Sequence, residues 1–564
     1  IPGSLVGSDM CIRHRFYKKP KMPYIKKYKK KIRYFLVVNI YERFRLFTIR
    51  FTRIFFFKDL PKKNIKIKKF IFNLQYIWAF SELELMSAAQ LKQLGHEVII
   101  LICDELPYTE IEIIGQEKPS YNSYFNRAKR YCMAYGLDYV STSSYLSNED
   151  RTISKKISSY SIDDLVGLSI NNIKIGEISK RNHAHYFKGD IYPSGNYELI
   201  FRKIVESALL IEKSVSKIIS EYHDYDLVTA NGKFIQTAIP AEINKNAGNN
   251  FYTYEVFGQG NGVILDKNKC SMEQRIDDHW DDLKNNELNA DELKRLYYSF
   301  ELQEKSESSK FDLWDENRID DKEKIINILN LDPSKKIISC YPNVYWDSTH
   351  MGLDGVSKDL TSWLVDMIRF AKNDKNIQLI VRTHPGELRV PEILQSKYTI
   401  IDSIKRNIAE IPSNVFLIEP EDNISSYSLA EISNMNVVWN GTIGIEFALR
   451  NIKPIVVADA YYAKKGFTYD INSFKELESF ILETHNEANL ALTAKEKKLV
   501  EIFAFHIRFN RKFNPPNYVG SRCVLFNYLN TCIGKNSTLD TMVGFFLDNN
   551  SYMNIGKFDF DNIA

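Results

Sequence analysis

The chain has 564 residues, 44% of them hydrophobic and 26% charged, with a formal net charge of +4 at pH 7. That length exceeds what one ordinary core serves and points to two large domains with extensions, and the small net charge argues against a whole-surface nucleic-acid binder. The seven cysteines, Cys11, Cys103, Cys132, Cys270, Cys340, Cys523 and Cys532, form no CxxC or Cys/His pairing, so no metal site is expected and a reducing, cytoplasmic compartment is.

The first residues, IPGSLVGSDM, lack a starting Met and a signal-peptide pattern. They read as a cloning remnant or a misplaced gene start, with Met10 as a candidate start. Residues 1–67 form a basic extension that contains KKPKMPYIKKYKKKIRYF and, near its end, most of KKNIKIKK. Within it, RYFLVVNIYERFRLFTIRFTRIFFF interleaves Phe, Ile and Leu with Arg. On a helix this gives an aromatic face flanked by arginines, which suits peripheral contact with anionic lipid at the inner face of the plasma membrane. It equally suits a helix packed on the main body. No nucleic-acid module accompanies the charge, so no nucleic-acid partner is expected. No apolar run reaches the roughly 18 residues that a membrane span needs.

From Lys68 the rhythm changes. KFIFNLQYI reads as a strand, FSELELMSAAQLKQLGHE as a helix with Ser81 and Glu84 at capping-box spacing, and EVIILICDE as a second buried strand. Continuous apolar strands around a helix predict a parallel sheet. DYDLVTANG and NNFYTYEVF continue the strand pattern. Residues 68–266 are therefore assigned to a first Rossmann-like domain, and the charged stretch 267–334 to a helical connector. A second alternating run, 335–512, has strands at KKIISCYPNV, IQLIVRT, NVFLIEP, MNVVWN and KPIVVAD, with DLTSWLVDMIRFAKND as an amphipathic helix. The tail, 513–564, is Asn-rich and carries no reading. The fold class expected is α/β, with two facing Rossmann-like domains.

In doubly wound sheets, ligands sit at the carboxyl ends of strands. In the second half three such ends are polar: RTHPGE, EPEDNISSY and NGTIGIE. Helix starts after strands suit phosphate. Gly441 and Gly444 allow close backbone approach, and Thr442 can cap a helix or donate to a phosphate. Glu446 can accept from sugar hydroxyls, and His384 can donate to a departing phosphate. Arg382 and Arg389 add fixed charge. Pro385, Glu387, Ser425, Ser426 and Asn440 complete the candidate lining. No Walker lysine and no GxGxxG after the first strand is present, so neither ATP hydrolysis nor nicotinamide chemistry is favoured. Each feature also has a plainer reading, as a turn, a tight loop or a surface ion pair.

The run NGTIGIEFALRNIKPIVVADAYYAKKGFTYD resembles the signature of bacterial capsule polysaccharide biosynthesis glycosyltransferases, a family that includes Kdo transferases. The matching positions are Thr442, Gly444, Glu446, Lys453 to Val456, Tyr462 and Gly466 to Thr468. RTHPGE is similar to the His-Pro motif shared with GT-B sialyltransferases. The resemblance covers roughly Lys335 to Asp470. It implies a GT-B-like fold and a nucleotide-sugar donor, CMP-sugar favoured, held by the second half with His384 at its phosphate. It also implies a surface-glycan or glycolipid acceptor on the first half, an inverting reaction, and no cofactor or catalytic metal. Phe447 stands where the family has Ala.

An inverting transfer needs a base. Glu255, at the end of NNFYTYEVF, is the leading candidate. Asp104, Glu105 and Asn231 are weaker ones, and His183 and His185 in RNHAHYFKGD read more readily as a surface loop. Rival readings are a CDP-polyol phosphotransferase of teichoic-acid type, a sugar-nucleotide 2-epimerase and an inactive binding scaffold.

Overall fold

The structure is a computed structural model that describes residues 66–74, 78–108, 121–188, 197–257, 262–304, 317–347, 355–390, 392, 395–484, 490–511 and 537–547, with 43, 46, 47, 49 and 50. The chain divides into two compact units, Ile1–Lys58 and Asp59–Ala564. In the first, the five described residues are helical; the membrane-contact reading of the basic extension otherwise lies outside the described residues. No described helix is long and apolar enough to cross a membrane.

Two six-stranded sheets organise the second unit. The first contains β1 (Lys69–Asn73), β2 (Glu97–Ile102), β3 (Asp138–Ser141), β4 (Asp226–Ala230), β5 (Phe251–Phe257) and β6 (Gly262–Lys267), in the order β3-β2-β1-β4-β5-β6. All pairs are parallel except β5 with β6. KFIFN and DLVTA are buried along almost their whole length, as strands covered on both faces must be. One face packs Ile71, Leu101 and Leu227 against the 25-residue helix Tyr197–Glu221 and the helix Ile235–Asn246.

The other face holds a finding that composition concealed. The segment read as an uninformative tail contains the helix Ser537–Phe546, which lies on this sheet. Phe546 is 5.9 Å from Phe72 and 5.4 Å from Tyr252, ring to ring.

Three local expectations are corrected. The described helix Trp78–Gln93 begins before Ser81, so Ser81 lies inside the helix and not at its start. Glu84 is buried and accepts from the Tyr254 hydroxyl at 2.5 Å. RNHAHYF is no surface loop. It ends the helix Ile175–Phe187, whose Ile175, Ile178 and Asn182 recur at helical spacing, and the His183 ring is buried among Phe187, Tyr197 and Phe201. Glu255 does not close its strand: β5 runs two residues further, because GVILDK returns as β6 and pairs Glu255 with Ile264.

The connector contributes the helices Asp277–Leu283, Ala290–Glu304 and Lys322–Leu329. The second sheet contains β7 (Lys336–Tyr341), β8 (Ile377–Arg382), β9 (Val415–Ile418), β10 (Met435–Val438), β11 (Ile455–Val456) and β12 (Tyr469–Asp470). Its order is β12-β11-β10-β7-β8-β9, with every pair parallel. Read from β9, this is the order of the first sheet. Each sheet reverses direction once, between β1 and β4 and between β7 and β10, and these are the switch points where doubly wound sheets hold ligands. The helix Leu360–Asn373, capped by Asp359, buries Trp363, Leu364, Met367 and Ile368 on one face.

The two domains are tied by charge. The helix Ala494–Phe505 passes into a π-turn, His506–Asn510, and delivers Arg511 to β6. There the buried Arg511 guanidinium donates to Leu265 O at 2.9 Å and pairs with Asp266. Arg275 pairs with Asp459 at 2.5 Å, and Lys465 pairs with Asp277.

Candidate active site at the second switch point

The carboxyl ends of β7, β8 and β10 converge on one polar group. β8 ends in Arg382-Thr383-His384, and Pro385–Glu387 forms a single 3-10 turn. Proline at the first turn position has no N–H to leave unpaired. The His384 Nδ1 caps this turn by accepting from the Gly386 N–H at 2.9 Å. A Cβ on residue 386 would lie 2.8 Å from that nitrogen, so the turn requires glycine. Solvent reaches the imidazole, yet protein crowds it enough that desolvation lowers its pKa to about 4, against the pull of Asp347. At pH 7 the ring is neutral. With Nδ1 accepting, its proton sits on Nε2, which is free to donate.

The arginines of this stretch have other work. Arg382 is buried at the end of β8, where it donates to Glu419 O at 2.8 Å and Asp422 O at 3.2 Å. Arg389 bonds to Glu421 O and the Asn423 side chain. Both clamp the loop after β9. Arg382 does so from a buried position and Arg389 from a half-buried one. Glu387 has a supporting role as well. It is fully buried, accepts from the Ile400 N–H at 3.0 Å, and is raised to a pKa of about 8 by desolvation. Pro385 is buried with it.

After β9, Ser425 caps the helix Ser426–Ile432, and both serines are buried. Asp422 closes the preceding turn by accepting from the Glu419 N–H at 2.8 Å. After β10, Asn440 is buried and its Nδ2 has no hydrogen-bond partner. Its Oδ1 lies 3.5 Å from Asn343 Nδ2, which donates to Asp347 at 3.0 Å. This Asn343–Asn440 pair spans the gap between β7 and β10, the switch point itself.

Thr442 is exposed, has helical backbone angles and does not cap its helix; its hydroxyl donates to Glu446 at 3.3 Å. Gly444 is glycine for an internal reason. A Cβ there would lie 2.3 Å from the Tyr462 hydroxyl, which is buried and donates to Gly441 O at 2.7 Å. Tyr462 therefore shapes the 440–444 loop from behind. Glu446 accepts from Tyr427 at 2.5 Å and from Gln303 of the connector at 2.9 Å. Burial raises its pKa, against the hydrogen bonds from Tyr427 and Thr442 and the charges of Arg508 and Arg450. The Gln303 carbonyl in turn accepts from Arg508 at 2.7 Å.

Asn343, Asp347, Gln303, Tyr427 and Arg508 were missed by sequence reasoning. YPNVYWD carries a usable signal, as a polar run directly after a buried strand. Gln303 and Arg508 carry none, because they arrive from helices outside the sheet.

At the facing edge, Asp104 is consumed by Thr142 and Ser143, and Glu105 pairs with Arg151. The Asn231 side chain closes its own turn by accepting from the Lys233 N–H. Glu255 is half-buried on β5, beside the end of β4. Among the described residues no group of three or more His, Cys, Asp or Glu is placed to hold a metal ion.

Two doubly wound domains with ligand-type edges define the GT-B-like class of architecture. Residues 334–504 match the model of the family described as Capsule polysaccharide biosynthesis protein. Among solved structures, the chain is similar to Thermosulfurimonas dismutans KpsC, beta Kdo 2,7 transferase, at 15% identity and a TM-score of 0.31 over 56% of this chain and 88% of that one. For the beta Kdo 2,4 transferase of the same protein the values are 10%, 0.28, 50% and 78%. A glycosyltransferase from Rickettsia africae gives 12% and 0.23 over 86% of this chain and 100% of that one. No curated protein sequence matches the chain significantly.

Proposed function

We propose that the protein is a glycosyltransferase that moves a sugar from a nucleotide-sugar, a CMP-sugar by preference, to a surface-glycan or glycolipid acceptor, with inversion and without a metal. The observation that carries this reading is the His384 turn. It offers a neutral imidazole with its proton on Nε2, at the carboxyl end of β8, in a segment that matches a capsule-biosynthesis family.

The acceptor hydroxyl attacks the anomeric carbon, and its proton passes to a carboxylate, for which Glu255 is proposed. The bond from that carbon to the phosphate oxygen breaks. The charge that grows on the phosphate is met by the His384 Nε2–H, and such donors act most strongly where water is excluded. Asn440 Nδ2 and the exposed Thr442 supply further donors. Glu446, held by Tyr427 and Gln303, orients the 442–446 turn. The basic extension, residues 1–67, is proposed to bring the enzyme to the inner face of an anionic membrane, on its composition alone.

Thermal unfolding with CMP, CDP, UDP and GDP tests the pocket on wild type and His384→Ala. A ligand that binds only the native state raises the midpoint. One nucleotide should stabilise the wild type and much less the variant. Stabilisation by CDP alone would favour polyol-phosphate transfer. No shift with any nucleotide would put the binding-scaffold reading ahead.

A further inference from the structure

The first domain carries two cations, Lys188 buried and Arg181 half-buried, that make no ion pair among the described residues. Arg181, His185 and Lys188 follow one another at spacings of four and three along the helix Ile175–Phe187 and its C-cap, so they share one face. Lys188 is 5% exposed, and its contact is the Trp346 ring, 5.0 Å away. No carboxylate among the described residues forms an ion pair with it. The Arg181 Nε is buried without a hydrogen-bond partner, and Glu177, Glu273 and Glu242 act on Arg181 only at a distance. Their neighbour Lys233 shows the ordinary solution, a 2.7 Å pair with Glu273. A buried charge left uncompensated costs stability, and two cations on one face call for an anion that the described residues do not supply.

The position of this face says what the anion belongs to. His185 lies against Phe234, 5.0 Å ring to ring, in the turn after β4. Asn182 Oδ1 accepts from the Ile235 N–H at 2.7 Å and fixes the helix to that turn. Across the domain boundary, Trp346 is the residue before Asp347, whose charge acts on His384. Lys397 of the second domain lies over Tyr186 and Phe187, at 6.0 and 5.7 Å. The face therefore belongs to the first domain but abuts second-domain residues that neighbour the His384 turn.

We propose that Arg181, His185 and Lys188 form a subsite for an anionic group, carboxylate or phosphate, of the acceptor. This rests on the transferase reading and adds the acceptor's chemical class: an acidic glycan or a phosphate-bearing glycolipid. No residue of the subsite is shared with the donor pocket.

The test is thermal unfolding of the full chain at constant ionic strength, first alone and then with the nucleotide that stabilises it most. Inorganic phosphate, glucuronate and, as the neutral control, glucose are titrated into wild type and the Arg181→Met, Lys188→Met double variant. One anion should raise the wild-type midpoint saturably, with the rise at least halved in the double variant and the nucleotide shift unchanged. Phosphate identifies the glycolipid-type acceptor and glucuronate the acidic glycan. Methionine should also raise the variant's own midpoint, because it removes the unpaired charge. If the double variant does not fold, Lys188→Gln answers the same question. Equal anion shifts in variant and wild type, or no shift in the wild type, would overturn the proposal. A failure of every nucleotide to bind would sink the transferase reading instead, while the anion titrations still report on the subsite.

Discussion

The two sheets have the same strand order, yet their carboxyl edges are chemically unlike. At the first switch point Asn73 donates to Thr229 at 3.0 Å and to Gln236 O at 2.5 Å, and Asp104 is saturated by Thr142 and Ser143. These groups at the strand ends pair with one another. At the second, Asn440 keeps an amide without a partner and His384 an Nε2 proton facing solvent. Buried polar groups are ordinarily satisfied, so hydrogen-bonding capacity left over at a strand end marks where a ligand fits. The same topology can pair its strand-end groups internally in one copy and leave some of them unpaired in the other.

That contrast can be broken by experiment, most sharply at His384. His384→Ala should lower turnover of the cognate nucleotide-sugar about 10²- to 10³-fold, the usual loss for one transition-state donor, with an unchanged circular dichroism spectrum. Near-wild-type turnover would show that the second edge is not where phosphate departs.

Gly444→Ala comes next. The new methyl must displace Tyr462, at a cost of about 1–3 kcal/mol for overpacking, read as a lower urea midpoint. Tyr462→Phe in the same chain should recover little, since the ring carbon that bears the hydroxyl already lies 2.7 Å from the added Cβ.

Glu387 gives a pH signature. Its folded pKa, about 8, lies above the unfolded value near 4.5. Below pH 4.5 both states hold the proton and its contribution is complete. Between about pH 4.5 and 8 only the folded state holds it, so stability falls as pH rises, by at most about 1.4 kcal/mol per unit. Glu387→Gln should flatten that slope in urea titrations between pH 5 and 8. An unchanged slope would mean that the carboxyl is ionised in the folded protein.

The smallest effect should be Asp104→Ala on ligand binding. It should cost about 1–3 kcal/mol of stability by stranding Thr142 and Ser143 while leaving the nucleotide-induced midpoint shift as in wild type. A loss of that shift would mean that the first edge takes part in donor binding after all.

Much of this was legible beforehand. Five strands of the second sheet and four of the first announce themselves as apolar runs, because a strand buried on both faces has to be apolar throughout. The short strands β3 and β12 do not, and neither does β6, whose GVILDK follows a glycine-rich stretch that reads as loop. The neighbourhood of His384, Asn440 and Thr442 could be placed, since polar residues directly after such runs fall at one edge of the sheet. The division of labour among them could not. Arg382 and Glu387 look like ligand contacts in one dimension and prove to be supports in three.

What the sequence by itself determined is therefore local: the strands, the helix faces, the Pro385-Gly386 turn and the chemistry available at each strand end. Those follow from side-chain periodicity and backbone stereochemistry within a few residues. The tertiary structure alone decided which of those groups are already spent. Tyr254 reaches Glu84 across 170 residues, Arg511 reaches Leu265 across 246, and Gln303 reaches Glu446 across 143. Such bonds depend on how separately formed elements dock, and no periodicity near either partner encodes the other.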